Sequence, residues 1–110
     1  MVDNQIILLK FIQTNKNWYY ISYQYILSEN FIQEFQDKLN WSSISYYQYL
    51  SENFIKKFKN KVYWNLISIN QELSENFMRE FQIKVNWDYM LRYQKLSKNF
   101  KKEFKHKLND

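Results

Sequence analysis

Trp18, Trp41, Trp64 and Trp87 stand 23 residues apart. The same step relates Leu27, Leu50, Leu73 and Leu96, each followed by a serine: Ser28, Ser51, Ser74 and Ser97. It also relates Phe31, Phe54, Phe77 and Phe100, then Phe35, Phe58, Phe81 and Phe104, then Lys38, Lys61, Lys84 and Lys107. A fixed period of this length marks a tandem array, in which one unit cannot bury its apolar face alone and stacks on its neighbours. The spacing sets four repeats, 17–39, 40–62, 63–85 and 86–108, in a single repeat domain spanning 1–110. Residues 1–16 keep part of the pattern, with Leu8 in register with Phe31 and Ile12 with Phe35, but lack the Leu-Ser-Glu and the Lys. They read as a degenerate half-repeat, a helix capping the N-terminal end, with a strand as the weaker alternative.

Gly, Pro and Cys are all absent. Without Gly, primed-turn hairpins and Gly-rich phosphate loops are not expected, and without either breaker the chain favours helices with short junctions. Each repeat divides in two. In the first half Asn40 suits an N-cap, and Trp41, Ile44, Ser45 and Gln48 fall on one face at the i, i+3, i+4, i+7 spacing, with Ser43 and Tyr46 opposite. The aromatic run Trp18-Tyr19-Tyr20 also suits a strand, but the recurring positions keep the helical period. In the second half Ser51 reads as N-cap, and Glu52 as a charge against the positive end of the helix dipole. Leu50 and Ile55 read as a hydrophobic staple, Phe54, Phe58 and Val62 as a buried stripe, and Lys61 as a cation at the helix C-terminus. Two helices of about ten residues fit each repeat, too short to be stable alone. The expected fold is all-α: an α-solenoid of 23-residue helix-turn-helix repeats whose core is the Trp and two Phe of each unit.

The fourth repeat departs from this pattern. Lys98 replaces the glutamate of Glu29, Glu52 and Glu75, Lys101 replaces Ile32, Ile55 and Met78, and Met90-Leu91 replaces Ile-Ser. In the first repeat Tyr25 stands where the others have Gln48, Gln71 and Gln94. The formal charge of +5 is uneven: residues 1–55 hold 3 basic and 5 acidic side chains, and residues 56–110 hold 13 and 6. A polar, charged outer face is what the terminal repeat of a stack needs for solubility.

The unit Trp64-x-x-Ile67-Ser68-x-x-Gln71-x-Leu73-Ser74-Glu75-Asn76-Phe77-x-x-x-Phe81-x-x-Lys84-Val85-Asn86 resembles the short tandem repeats found in proteins of giant DNA viruses. The likeness covers residues 17–109. It implies a virus-encoded repeat protein and carries no activity with it. The Asn-, Ile-, Lys- and Tyr-rich composition also looks like that of an AT-rich coding sequence.

Little in the chain points to chemistry. His106 is the only histidine, so a zinc or transition-metal site of the usual kind is not expected, and no cofactor is implied. Ser28, Ser51, Ser74 and Ser97 read as caps rather than nucleophiles, and Glu34 with Asp37 as solvated surface charge. A non-enzymatic protein is the reading that follows. Two surfaces are candidates for binding. Tyr20, Tyr23, Tyr46, Tyr47, Tyr89, Arg92 and Tyr93 lie between the fixed positions, so the repeat itself does not dictate them; they serve either a protein partner or the packing of neighbouring repeats. Lys95, Lys98, Lys101, Lys102 and Lys105 gather on the last repeat, where they either keep the end soluble or meet nucleic-acid phosphates, an acidic protein partner or an acidic membrane surface. A protein partner, a host protein if the chain is viral, is the leading expectation and nucleic acid the alternative. No membrane span and no secretory signal are expected, because no long apolar run exists and Met1-Val2-Asp3-Asn4-Gln5 lacks a positive n-region. An intracellular location, the host cytoplasm for a viral protein, follows as the expectation.

Overall fold

The computed structural model of the chain describes Lys10 and residues 17–108. The expected N-terminal capping half-repeat falls, Lys10 apart, outside the described residues. Four helix pairs follow in step with the repeats, and the described residues contain no strand. The first-half helices are α1 (Trp18–Gln24), α3 (Trp41–Tyr47), α5 (Trp64–Asn70) and α7 (Trp87–Tyr93). The second-half helices are α2 (Glu29–Glu34), α4 (Glu52–Lys57), α6 (Glu75–Glu80) and α8 (Lys98–Glu103), and a last turn forms α9 (Lys105–Leu108). The first-half helices stack directly on one another, α1 on α3, α3 on α5 and α5 on α7. The stack extends along one axis, measuring 52 × 26 × 21 Å. This is a helical repeat fold.

The helices are shorter than the period suggests, seven residues in the first halves and six in the second. Each second-half helix ends at its second phenylalanine, where φ lies between −106 and −110° and ψ between 24 and 30°. The chain then closes a looser turn: Phe58 O accepts from Lys61 N at 2.9 Å and Val62 N at 3.1 Å, a pattern repeated at Phe35, Phe81 and Phe104. Lys61 therefore lies in a turn beyond the helix rather than at its C-terminus. There it pairs with Asp37 at 3.1 Å and sits 5.9 Å from the Trp41 ring.

The N-caps form as the residue types dictate. Ser28, Ser51, Ser74 and Ser97 each accept from the phenylalanine N–H three residues on, at 3.1 Å. Asn17, Asn40 and Asn86 cap the first-half helices in the same way. Tyr63, which occupies that position in the third repeat, gives α5 no side-chain cap.

Buried in the core are Ile21, Ile44, Ile67 and Met90 of the first halves, with Phe31, Phe54, Phe77 and Phe100 of the second. Both residues of each expected staple, Leu50 with Ile55 for example, are buried too. The tryptophans are not core in the sense expected, being only partly buried. Each lies over its own repeat's phenylalanines, Trp64 for example 5.1 Å from Phe81. Its indole N–H can then reach back: Trp41, Trp64 and Trp87 donate to the carbonyls of Gln36, Lys59 and Gln82 at 2.8–3.0 Å. Ser43, expected on the outer face, is 6 % exposed. Its short side chain lies among the larger Tyr19, Tyr46, Tyr47 and Leu66, which shield it.

Candidate interaction face

What the fixed positions do decides which positions are left for anything else. A helix leaves its last carbonyls and first N–H groups without intrahelical partners. Here no glycine closes the first-half helices. Their C-caps are extended, with φ between −90 and −114° and ψ between 141 and 150°. After α1, α3 and α5 the free groups are satisfied by the next repeat. Gln71 Nε2 donates to Ser45 O at 3.0 Å and Gln48 O at 2.6 Å, while its Oε1 accepts from Leu50 N at 3.1 Å. Gln48 makes the same three bonds to Ser22, Tyr25 and Leu27, and Gln94 to Ser68, Gln71 and Leu73. In the forward direction, Glu29, Glu52 and Glu75 accept from both the N–H and the hydroxyl of Ser51, Ser74 and Ser97, at 2.6–3.0 Å. Buried Ser22, Ser45 and Ser68 accept from the N–H of Asn40, Tyr63 and Asn86 at 2.8–3.0 Å. Fixed Gln, Glu, Ser, Leu and Phe are thus consumed by the stack.

Two surface crevices, about 660 and 430 Å³, lie one repeat apart and are lined by this same machinery, including Gln71 and Glu52 in one and Gln94 and Ser74 in the other. They are seams between loops, in which Gln71, Gln94 and Glu52 are already engaged and the exposed Glu72 is shared by both. No three His, Cys, Asp or Glu side chains among the described residues converge to hold a metal. His106 is exposed beside Phe104. Glu34 and Asp37 are also exposed, Asp37 in its ion pair with Lys61.

The variable positions of the first-half helices carry the remaining candidates. On α1 and α3, Tyr20, Tyr23, Tyr46 and Tyr47 join into one aromatic cluster. Tyr20 lies 5.6 Å from Tyr23, Tyr23 lies 6.0 Å from Tyr47, and Tyr47 lies 4.8 Å from Tyr46. Tyr23, Tyr46 and Tyr47 are exposed and Tyr20 is half-buried. Tyr19 belongs with them, 61 % exposed and 5.3 Å from Tyr23. The repeat pattern does not single it out; its place one helical turn before Tyr23 is the signal that does. A groove between α1, α3 and α5 runs past Tyr19, Ser42, Tyr46, Tyr47 and Leu66. No charged side chain lines it.

Tyr89 and Tyr93, 6.1 Å apart, form a second, separate group with Arg92 on α7. Between the two groups α5 presents Leu66, Ile69 and Asn70 at the equivalent positions, so the sequence candidates make two patches rather than one. Asn70 is tied to the cluster's edge, donating its side-chain N–H to the Tyr46 carbonyl.

The lysines are placed differently. Lys95 lies in the loop after α7, Lys98, Lys101 and Lys102 on α8, and Lys105 at the start of α9, all exposed. The ion pairs among the described residues are Lys56–Glu80, Lys61–Asp37 and Arg79–Glu103. None involves these five lysines. Glu103, the carboxylate beside them, is engaged by Arg79, and its hydrogen bonds hold that guanidinium still more firmly in the charged form.

No helix among the described residues is long and apolar enough to cross a membrane. Comparison with protein-family models, curated proteins and solved structures finds no match to this chain.

Proposed function

We propose that this chain is a non-enzymatic interaction module whose tandem helices present the tyrosine cluster of α1 and α3 to a protein partner. The observation that carries this reading is a division of labour. The fixed residues are used up in joining repeats, whereas Tyr19, Tyr46 and Tyr47 stand exposed along an uncharged groove, with exposed Tyr23 against Tyr19 and Tyr47, and none of these four side chains bonds into the ladder. Tyrosine gives large, stiff contact area with a polar tip, and it is enriched in protein interfaces. The resemblance to repeat proteins of giant DNA viruses directs the search to a host protein, met in the host cytoplasm.

The experiment places a photo-crosslinking amino acid at position 23 or 47, and as control at position 57 on the opposite layer, in infected-host lysate. A discrete protein crosslinked at 23 and 47, absent at 57 and lost with Tyr19→Ser/Tyr46→Ser, supports the module. Equal labelling at all positions refutes it.

A second reading, nucleic-acid binding, is favoured by the five unpaired lysines of the last repeat. Mobility shift with mixed DNA and RNA at two salt concentrations separates the two: phosphate contacts give binding that falls steeply with salt.

A further inference from the structure

The departures of the outer repeats from the common pattern fall at a particular class of position. In the fourth repeat Met90 replaces the isoleucine of the others and stays fully buried, and three further fixed residues are replaced by unlike ones. Leu91 stands where Ser22, Ser45 and Ser68 receive the first N–H of the following repeat. Lys98 stands where Glu29, Glu52 and Glu75 clasp the serine of the following repeat. Lys101 stands where Ile32, Ile55 and Met78 are fully buried. Lys101 is exposed, which shows what covers the other three: the repeat that comes next. The residues that reach backward, Gln94 and Ser97, are retained and engaged. The one Gln that is replaced, at Tyr25, belongs to the first repeat, where its partners would lie before the array. Replacement therefore follows the direction of contact and not a general decay of the repeat.

We infer that the distal face of the fourth repeat is a stop, built to refuse another repeat whether that repeat follows in the chain or is carried by a second copy. Lys98 would set an ammonium, itself only a donor, against a serine N–H that needs an acceptor. Lys101 would be driven into a site fully closed in every earlier repeat, where an unpaired charge is costly. Leu91 offers no acceptor to the arriving N-cap N–H. A common positive sign on both lysines adds repulsion between copies. Only the backbone half of the glutamine clamp survives on this face, and the Leu96 N–H has no acceptor among the described residues.

The test appends a fifth repeat to the full chain. Asn109 already stands in register with Asn40 and Asn86, so a second copy of residues 87–108 is joined after it. This added repeat brings its own Gln and Ser to reach backward. One fusion keeps the natural fourth repeat, and the other carries Leu91→Ser, Lys98→Glu and Lys101→Ile. On the natural repeat the addition is expected to stay unfolded: trypsin trims it back within minutes, and the far-UV helical signal per molecule equals that of the unextended chain. On the restored repeat it is expected to fold, with about one quarter more helical signal, as one repeat added to four, and at least tenfold slower trimming. Equal folding on both receivers would overturn the stop. An addition that stays unfolded on both would overturn it as well, because the three residues would then not be what withholds docking.

Discussion

Replacing Gln71 with methionine keeps the side-chain volume and removes the clamp between the second and third repeats. Gln71 is 5 % exposed and holds one N–H and two carbonyls of the preceding repeat. An unsatisfied buried polar group costs about 1–3 kcal/mol, so three cost about 3–9 kcal/mol if all stay dry. Gln71 lines the crevice between the loops, where water can reach some of these groups, which places the loss nearer about 3–5 kcal/mol. For a domain of this size each kcal/mol moves the melting point by about 4–8 °C, so Gln71→Met is expected to melt at least ~12 °C lower. Because repeat arrays are coupled chiefly between neighbours, the denaturant transition should also broaden or split as repeats one and two separate from three and four. Thermal and urea unfolding followed by circular dichroism measure both. Gln24→Met is the control: the same change at an exposed glutamine of α1 should stay within about 0.5 kcal/mol of the parent. A Gln71→Met melting point within ~2 °C of the parent would refute the claim that these bonds hold the seam.

Other expectations follow from the same contacts. Tyr63→Asn should stabilise the chain by about 0.5–2 kcal/mol, because α5 alone among the first-half helices lacks a side-chain cap, and its N-cap backbone is already extended like that of Asn40. Urea unfolding measures this, and a destabilised variant would contradict it. Ser51→Ala should cost about 1–3 kcal/mol, since that hydroxyl both caps α4 and donates to Glu29, whereas Asn53→Ala on the exposed face should cost little. Equal losses at the two sites would mean that the cap is not what matters. Phe58→Ala should cost about 3–5 kcal/mol in a melt, the range for a buried phenylalanine, because Phe58 is 7 % exposed between Trp41 and Phe54.

Much of the fold is legible in the chain because the period is written in large residues. Trp41, Ile44, Ser45 and Gln48 share a face by spacing alone, and the structure turns that face inward. The purpose of its polar members is not legible. A buried Gln has the same letter whether it faces water or a carbonyl 23 residues back, and only the stacked arrangement brings Gln71 to the Gln48 carbonyl. Glu52 reads as a local dipole partner, yet its carboxylate clasps Ser74, in the next repeat. The helices are shorter than the spacing predicts because the Phe58 stripe continues through a turn that keeps the side chains inward after the helical bonds stop. The tyrosines were readable as variable, but not as two patches, since that depends on which helix lies between them.

The repeats satisfy one another's backbone in a fixed direction. Amide hydrogen exchange tests this within one sample, because Leu27, Leu50, Leu73 and Leu96 occupy the same position in four near-copies. The first three N–H groups donate to Gln48, Gln71 and Gln94, and the fourth has no acceptor among the described residues. Leu27, Leu50 and Leu73 should exchange slowly, at the rate of cooperative opening, and Leu96 close to the rate of an unprotected amide. Four equal rates would contradict the ladder.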